Sequence, residues 1–163
     1  MSNPFSQSTL LPVGATAPDF TLLNQEGQPV KLYEVLKKDW VVLFFYPKDH
    51  SPMCTSQVCA FRNAYEDFQF SGAEVIGISA DTVESHQDFS ERQNLSFPLL
   101  SDPKREVAGQ YGVPMVLGVI PSRVTFVIDP AHTVRLAYSS QFSAKAHMDK
   151  ALEVLQQHCP PAS

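Results

Sequence analysis

Two runs of consecutive apolar residues set the pattern of the chain: WVVLFFY over residues 40–46 and EVIGIS over residues 74–79. Runs of this length without polar alternation are typical of strands that are buried on both faces of a sheet. A stretch with helical spacing, from Met53 to Phe70, lies between them. The pattern therefore predicts a strand, a crossover helix and a second strand that runs parallel to the first.

The alternation of extended and helical segments continues along the chain. Further extended segments are predicted over residues 20–24, 29–33, 123–129 and 133–139, and helices over residues 82–94, 102–111 and from Ala144 onward. The first two extended segments flank the turn-prone QEG and predict a hairpin. Strands that alternate with helices predict an α/β fold.

Composition indicates how many domains to expect. The chain has 163 residues, of which 44% are hydrophobic and 18% are charged, as in an ordinary globular protein with one sizeable core. Residues 1–11 are rich in Ser, Asn and Gln. We therefore expect a flexible arm over residues 1–11 and a single domain over residues 12–163.

The charge pattern excludes several kinds of partner. The formal net charge is −5 and no run of Lys and Arg occurs, so we expect no binding to nucleic acid or to a membrane surface. The first residues carry neither a basic cluster nor a sustained apolar core, so we expect a cytoplasmic protein. Among the kinds of partner considered, a small substrate or another protein remains.

Cys54 is the first candidate for chemistry. Ser51 is a good N-cap and Pro52 suits the first helical position, which places Cys54 in the first turn of the predicted helix. The free N–H groups and the positive end of the helix dipole favour a thiolate over a thiol. Cys54 is thus a candidate nucleophile, and a buried, inert cysteine is the alternative.

Cys59 follows Cys54 by five residues. On an ideal helix, two such residues differ by about 140° in direction and ~7.5 Å in rise, so their Cα atoms lie roughly 8–9 Å apart. This separation exceeds the limit of about 7 Å for a disulfide. A bond between Cys54 and Cys59 therefore requires the helix to unwind, which favours a redox switch over a structural bridge.

A metal site is the competing interpretation of this segment. His50, Cys54 and Cys59 lie close together in sequence and could hold copper or zinc without turnover. Their spacing differs from the Cys-x-x-Cys knuckles of structural zinc and from the redox dithiol of thioredoxin. Cys159, near the end of the chain, is expected to be a spare thiol.

Several motifs together resemble one known family. The segments FYPKDHSPMCTSQVCAFR, GAEVIGISAD, FPLLSDP, YGV and RVTFVIDP follow one another from about residue 13 to the last helix. They are similar to the peroxiredoxins, in particular to the peroxiredoxin Q or bacterioferritin comigratory protein branch. The resemblance implies a thioredoxin-like α/β fold with a central mixed sheet flanked by helices. It also implies a thiol peroxidase that needs no metal, flavin or haem cofactor.

The resemblance assigns roles to five residues. Cys54 corresponds to the peroxidatic cysteine, whose thiolate attacks the peroxide, and Cys59 to a resolving cysteine that forms an intramolecular disulfide with it. Pro47 would shield the site, and the hydroxyl of Ser51 would bond to the peroxide and the thiolate. Arg123 would bring a cation to the sulfur, although the pattern alone suggests a solvated charge at a strand end.

The resemblance also implies partners. The substrates would be hydrogen peroxide and organic hydroperoxides, and the electron donor thioredoxin or a similar dithiol protein. Because both cysteines lie in one chain, we expect a monomer. Two departures from the family are Met53 in place of the usual glycine and Ser51 where threonine is commoner. Gln57 stands where many relatives have glutamate, and no definite role is assigned to it. No role is predicted for His86, His132, His147 or His158.

Overall fold

The fold is known from a computed structural model, which describes residues 10–116, 120–140 and 143–158. Its main sheet has seven strands in the order β2-β1-β5-β4-β3-β8-β9. These strands are β1 (Thr21–Leu23), β2 (Pro29–Lys31), β3 (Trp40–Phe45), β4 (Ala73–Ser79), β5 (Leu99–Ser101), β8 (Val124–Ile128) and β9 (Val134–Ser139). Two further strands, β6 (Met115–Val116) and β7 (Ile120–Pro121), form a separate antiparallel pair.

The helices within the described residues follow the strands in the predicted alternation. They are α1 (Leu32–Val35), α2 (Pro52–Asn63), α3 (Tyr65–Phe70), α4 (Val83–Gln93), α5 (Glu106–Gln110) and α6 (Ala144–His158). Strands β3, β4 and β5 are parallel, whereas β1, β2, β8 and β9 join by antiparallel pairing. The predicted α/β fold with a mixed central sheet is confirmed.

The crossover predicted from the two apolar runs is present. In the parallel pair β3–β4, Trp40 lies opposite Ala73 and Phe45 lies opposite Ile78. The predicted hairpin is present too, since β1 and β2 pair antiparallel. Because β3 ends just before the loop that leads into α2, the sequence around Cys54 lies at the carboxyl end of a central strand, where α/β folds commonly place ligand sites.

The predicted helix from Met53 to Phe70 is divided in two. Ala64 has φ −99° and ψ 4°, outside the helical range, and separates α2 from α3. Phe61 and Phe68 nevertheless remain in one cluster, with their ring centroids 5.7 Å apart. One non-helical residue hardly alters the spacing of apolar positions, which is why the pattern did not reveal the break. Helix α1 and the pair β6–β7 were likewise not predicted.

The two faces of β3 build two separate apolar clusters. Leu43 and Phe45 face one side, with residues of α1 and α5, whereas Phe44 and Tyr46 face the other, with residues of α2, α3, α4 and α6. Both clusters consist largely of fully buried side chains. Cys54 belongs to the second cluster, so the candidate nucleophile lies between the sheet and its helices.

Close packing fixes α2 on the sheet. The ring of Phe44 stacks on that of Phe61 in α2, with centroids 4.6 Å apart and planes 10° apart. Gly77 in β4 makes room for this stack, because a Cβ atom there would lie 2.8 Å from Phe44 Cζ and 2.9 Å from Leu99 Cδ2. The position of α2 is therefore set by a tightly packed β3–β4 surface.

Parts of the predicted organisation lie outside the described residues. Residues 1–9 of the expected arm are outside the described residues. Leu10 and Leu11 are described and pack against the first apolar cluster. The boundary between arm and domain at residue 12 therefore stays a prediction. Cys159 is also outside the described residues. Among the helices of the described residues, none has the length and apolar character needed to cross a membrane.

Candidate active site

Cys54 occupies the first turn of α2, as the sequence predicts. The helix starts at Pro52, and Ser51 at the N-cap has the extended conformation with φ −72° and ψ 148°. The side chain of Cys54 is fully buried, and its thiol is free. Cys54 thus lies in the turn whose free N–H groups carry the positive end of the helix dipole, and its side chain is shielded from water.

Arg123 reaches Cys54 from the opposite side of the site. It directly precedes β8 and is only 7% exposed. Its Nη1 lies 3.0 Å from Cys54 Sγ and donates a second hydrogen bond to Gln57 Oε1 at 3.1 Å. The interpretation of Arg123 as a solvated charge is therefore wrong. The guanidinium thus places a buried cation beside the sulfur.

Gln57 is a site residue to which the sequence assigned no definite role. It lies three residues after Cys54 on the same face of α2 and is fully buried. Because an arginine can only donate, the atom that faces Arg123 is the amide oxygen, and Nε2 is the free end. Neither Gln57 Nε2 nor the buried Ser122 Oγ has a hydrogen-bond partner among the described residues.

Ser51 and Pro47 lie in the loop between β3 and α2. The resemblance implied that the hydroxyl of Ser51 would face the thiolate, but in this structure it donates to the main-chain oxygen of Lys48 at 3.1 Å. It makes no side-chain cap bond to α2 either. Pro47 is half-buried at the end of β3. Its shielding role and the role of Ser51 in binding peroxide stay predictions.

Cys59 lies on a different face of α2 from Cys54. It is half-buried, its thiol is free, and its S–H donates to Gln93 Oε1 at the end of α4, at 3.3 Å. Helix α2 is continuous from Pro52 to Asn63, so ideal helix geometry separates the two Cα atoms by roughly 8–9 Å. The intact helix therefore holds the two free thiols apart.

A buried polar network beside the site was missed by the sequence analysis. Asp49 accepts hydrogen bonds from Tyr46 Oη at 2.6 Å and Ser85 Oγ at 2.8 Å, and its Oδ2 lies 2.7 Å from His86 Nδ1. His86 Nε2 donates to the oxygen of Leu100 at 3.0 Å, because a carbonyl oxygen only accepts, and this bond turns Nδ1 toward the carboxylate. Burial, followed by the negative charge of Asp49, raises the pKa of Tyr46 well above its ordinary value.

A second buried histidine supports the strand that carries Arg123. His147 Nε2 donates to the oxygen of Ser140 at 2.8 Å, and Nδ1 accepts from the hydroxyl of Thr125 at 2.8 Å. Burial lowers the pKa of His147 from its ordinary value, and the charge of Arg123 lowers it further, against the opposing effect of the bond to Ser140. The ring is neutral and adds no second cation beside Arg123.

The three residues of the predicted metal site have separate partners. His50 Nε2 lies 3.3 Å from Asp88 Oδ2, whereas Cys54 bonds to Arg123 and Cys59 bonds to Gln93. Potential ligand atoms of a different group, Asp49, Asp81 and His86, do lie within 4.8 Å of one another. Their oxygens already accept hydrogen bonds from the protein.

The sequence is similar to one family of known proteins. Residues 13–137 match the model of the AhpC/TSA family. The chain is 48% identical to the chloroplastic peroxiredoxin Q of Sedum lineare over 144 residues, which are 88% of this chain and 77% of that protein. It is 46% identical to the chloroplastic peroxiredoxin Q of Gentiana triflora, over 88% of this chain and 66% of that protein.

Solved structures give the same result for the fold. The peroxidoxin BcpB of Mycobacterium tuberculosis superposes with a TM-score of 0.85 at 41% identity, covering 90% of this chain and 97% of that one. The bacterioferritin comigratory protein of Xanthomonas campestris superposes with a TM-score of 0.81 at 28% identity, covering 92% and 98%. These neighbours confirm the predicted thioredoxin-like fold and do not favour the metal-binding alternative.

The comparison corrects one expectation. The Sedum and Gentiana relatives are both chloroplastic proteins, which contradicts the cytoplasmic location that we expected from the first residues of the chain. That expectation rested only on the lack of a basic cluster and of a sustained apolar core in the first residues. The composition of the first residues was a poor guide to location, because those residues are separate from the folded domain that the relatives share.

Proposed function

This chain belongs to the AhpC/TSA family of thiol peroxidases, and we propose that Cys54 is its peroxidatic cysteine and Cys59 its resolving cysteine. The observation that carries the proposal is the 3.0 Å contact between Arg123 Nη1 and Cys54 Sγ in a buried site. A cation held at this distance, together with the N-terminus of α2, favours the thiolate, which is the nucleophilic form of cysteine.

The first step oxidises Cys54. The thiolate attacks one oxygen of the peroxide, the O–O bond breaks, and the other oxygen leaves as an alkoxide or hydroxide that takes up a proton to become alcohol or water. Cys54 becomes a sulfenic acid. Arg123 donates to the sulfur at the start and can stabilise the negative charge that develops on the oxygens, as preorganised donors do in other enzymes.

The second step forms the disulfide. The thiol of Cys59 attacks the sulfenic sulfur of Cys54, a disulfide forms, and water leaves with the hydroxyl oxygen. Since the intact helix holds the two Cα atoms too far apart, α2 must unwind between them. Thioredoxin or a similar dithiol protein then reduces the disulfide. Resolution within one chain needs no second subunit, which supports a monomer.

Hydrogen peroxide and organic hydroperoxides are the substrates that this site suits. The solved Xanthomonas campestris relative is described for its alkyl peroxide reduction activity. In this chain Met53 precedes Cys54 and is 36% exposed. Its flexible apolar side chain can contact the alkyl group of an organic hydroperoxide. A Met53→Gly variant with unchanged preference between the two substrates would contradict that role.

Intact mass with peptide mapping tests the two cysteine roles. The reduced protein is treated with one equivalent of hydrogen peroxide in the presence of a chelator, alongside Cys54→Ser and Cys59→Ser controls. We expect the wild type to lose two hydrogens, mapped to a link between Cys54 and Cys59. The Cys59→Ser protein should stop at the sulfenic acid and the Cys54→Ser protein should not react. Survival of both thiols in the wild type would contradict the proposal.

A further inference from the structure

Helix α4 lies beside the segment that carries both cysteines and bonds to it at both ends. Near its start, His86 meets Asp49, which precedes α2. At its end, Gln93 contacts α2 twice: its Oε1 accepts from Cys59 S–H at 3.3 Å, and its main-chain oxygen accepts from Arg62 Nη1 at 2.8 Å. The second half of α2 is therefore attached to the end of α4.

The end of α4 is itself well fixed. Asn94 has a left-handed conformation with φ 53° and ψ 54°, and the main-chain N–H of Leu95 donates to the oxygen of Ser90 at 3.0 Å. The main-chain N–H of Asn94 also bonds to the oxygens of Glu91 and Ser90, so the last turn of the helix is closed by hydrogen bonds. The side chain of Gln93 therefore extends from a fixed helix terminus, and its bond to Cys59 acts against a rigid support.

We propose that Gln93 is a positioning residue that holds the thiol of Cys59 away from Cys54 and thereby sets the rate of disulfide formation. The proposal rests on the function proposed above, in which Cys54 sulfenic acid and Cys59 thiol give a disulfide and one water. Before that step, Cys59 must leave Gln93 Oε1. The bond from Arg62 uses the main-chain oxygen of Gln93, so it can persist while the earlier turns of α2 unwind.

The chemistry of the amide oxygen agrees with this role. An amide oxygen only accepts, so it bonds to Cys59 in the neutral thiol form and offers nothing to a thiolate. Cys59 is thus kept both displaced and less nucleophilic until α2 opens. Losing one such bond changes an equilibrium by about two- to tenfold. A change of that size in the fraction of released Cys59 appears directly in the rate of resolution.

Three variants test the proposal. Gln93→Leu removes the acceptor at nearly constant volume, Gln93→Glu restores an acceptor, and Gln87→Leu makes the same change at an exposed glutamine of α4. Rapid acid quench and intact mass follow the conversion of sulfenic acid to disulfide. We expect Gln93→Leu to accelerate this conversion about two- to tenfold. Gln93→Glu should be no faster than wild type, Gln87→Leu should equal wild type, and the preceding oxidation of Cys54 should be unchanged in all three.

A second measurement guards against a folding defect in the variants. In a Cys54→Ser background, the rate at which a thiol reagent modifies Cys59 should rise in Gln93→Leu and stay near the reference in Gln93→Glu. Equal resolution rates in Gln93→Leu and wild type, or equal modification rates of Cys59, would overturn the proposal. If the wild type forms no Cys54–Cys59 disulfide, the proposed function fails as well, and intact mass distinguishes that result from a normal disulfide formed at an unchanged rate.

Discussion

Arg123 and Cys54 are 69 residues apart in sequence, yet Arg123 Nη1 lies 3.0 Å from Cys54 Sγ. The sheet brings them together, because β8 pairs with β3 and thus places the residue before β8 next to the loop after β3. Both side chains are buried, so water screens the interaction little. The contact therefore combines the reactive sulfur with its main electrostatic partner.

Replacing Arg123 should slow the oxidation of Cys54. We expect Arg123→Met to lower the second-order rate constant with hydrogen peroxide by about 10²–10³-fold, the usual effect of removing one charge-stabilising donor. The rate constant of Arg123→Lys should lie between those of Arg123→Met and wild type, because lysine keeps the charge but lacks the planar guanidinium. Stopped-flow kinetics measures the rate. Arg135→Met, which removes a partly exposed partner of Asp129, is the matched control, and an equal loss there would contradict the assignment.

Gln57 allows a prediction about stability. Its buried Nε2 has no hydrogen-bond partner among the described residues, and an unpaired buried donor costs about 1–3 kcal/mol. Gln57→Glu removes this N–H and gives Arg123 a carboxylate partner. We expect the melting temperature to rise by about 2–4 °C for each kcal/mol gained.

Thermal unfolding of the reduced protein measures the effect of Gln57→Glu. Gln69→Glu makes the same change at an exposed position of α3 and should leave the melting temperature nearly unchanged. A Gln57→Glu protein that melts at or below the wild-type temperature would show that the amide nitrogen of Gln57 carries no such penalty.

The network around Asp49 should be important for stability. Asp49 and His86 have fully buried side chains, and Asp49 Oδ2 lies 2.7 Å from His86 Nδ1. Removing one partner leaves the other polar group buried without its hydrogen bond, which typically costs about 1–3 kcal/mol. We therefore expect Asp49→Asn to lower the free energy of unfolding by that amount, and Tyr46→Phe, which removes one bond to the same carboxylate, to have a smaller effect.

Urea unfolding of a double-mutant cycle separates the pair from its surroundings. Asp49→Asn, His86→Gln and the double variant should show a coupling energy of about 1–3 kcal/mol, as expected for side chains in direct contact. If the two single effects simply add, the network does not act as a unit, and the short distance alone would not justify the stability assigned to it.

Local features of this molecule were predictable from the sequence. The apolar runs over residues 40–46 and 74–79 gave β3 and β4, and Ser51 and Pro52 gave the start of α2, because these signals depend on neighbouring residues. Contacts between distant residues were not predictable from local patterns. Arg123 was selected only through a resemblance to a family, and its pattern alone suggested a solvated charge.

His86 and Gln93 show most clearly where sequence reasoning ends. Asp49 and His86 are 37 residues apart, and Cys59 and Gln93 are 34 residues apart. Their pairing depends on how α4 docks beside α2, which no periodicity encodes. The amphipathic pattern of residues 82–94 correctly predicted a helix, but it did not indicate that a histidine on that helix would be fully buried.

The lowered pKa of His147 predicts a pH dependence of stability. Burial disfavours the charged ring, and the nearby charge of Arg123 disfavours it further, so the folded-state pKa lies below the ordinary value of 6.5. Between these two pKa values the unfolded chain binds more protons than the folded chain, so stability rises with pH through that window. His147 should therefore reduce stability progressively as the pH falls below about 6.5, by at most about 1.4 kcal/mol per pH unit.

Urea unfolding at pH 7.5, 6.5 and 5.5 measures this effect of His147. The loss of stability should be shallower for His147→Asn than for wild type or for His132→Asn, a change at a half-buried histidine outside the site. Parallel curves for all three proteins would mean that His147 takes up its proton equally well in the folded and unfolded states, contrary to its place between Thr125 and Ser140.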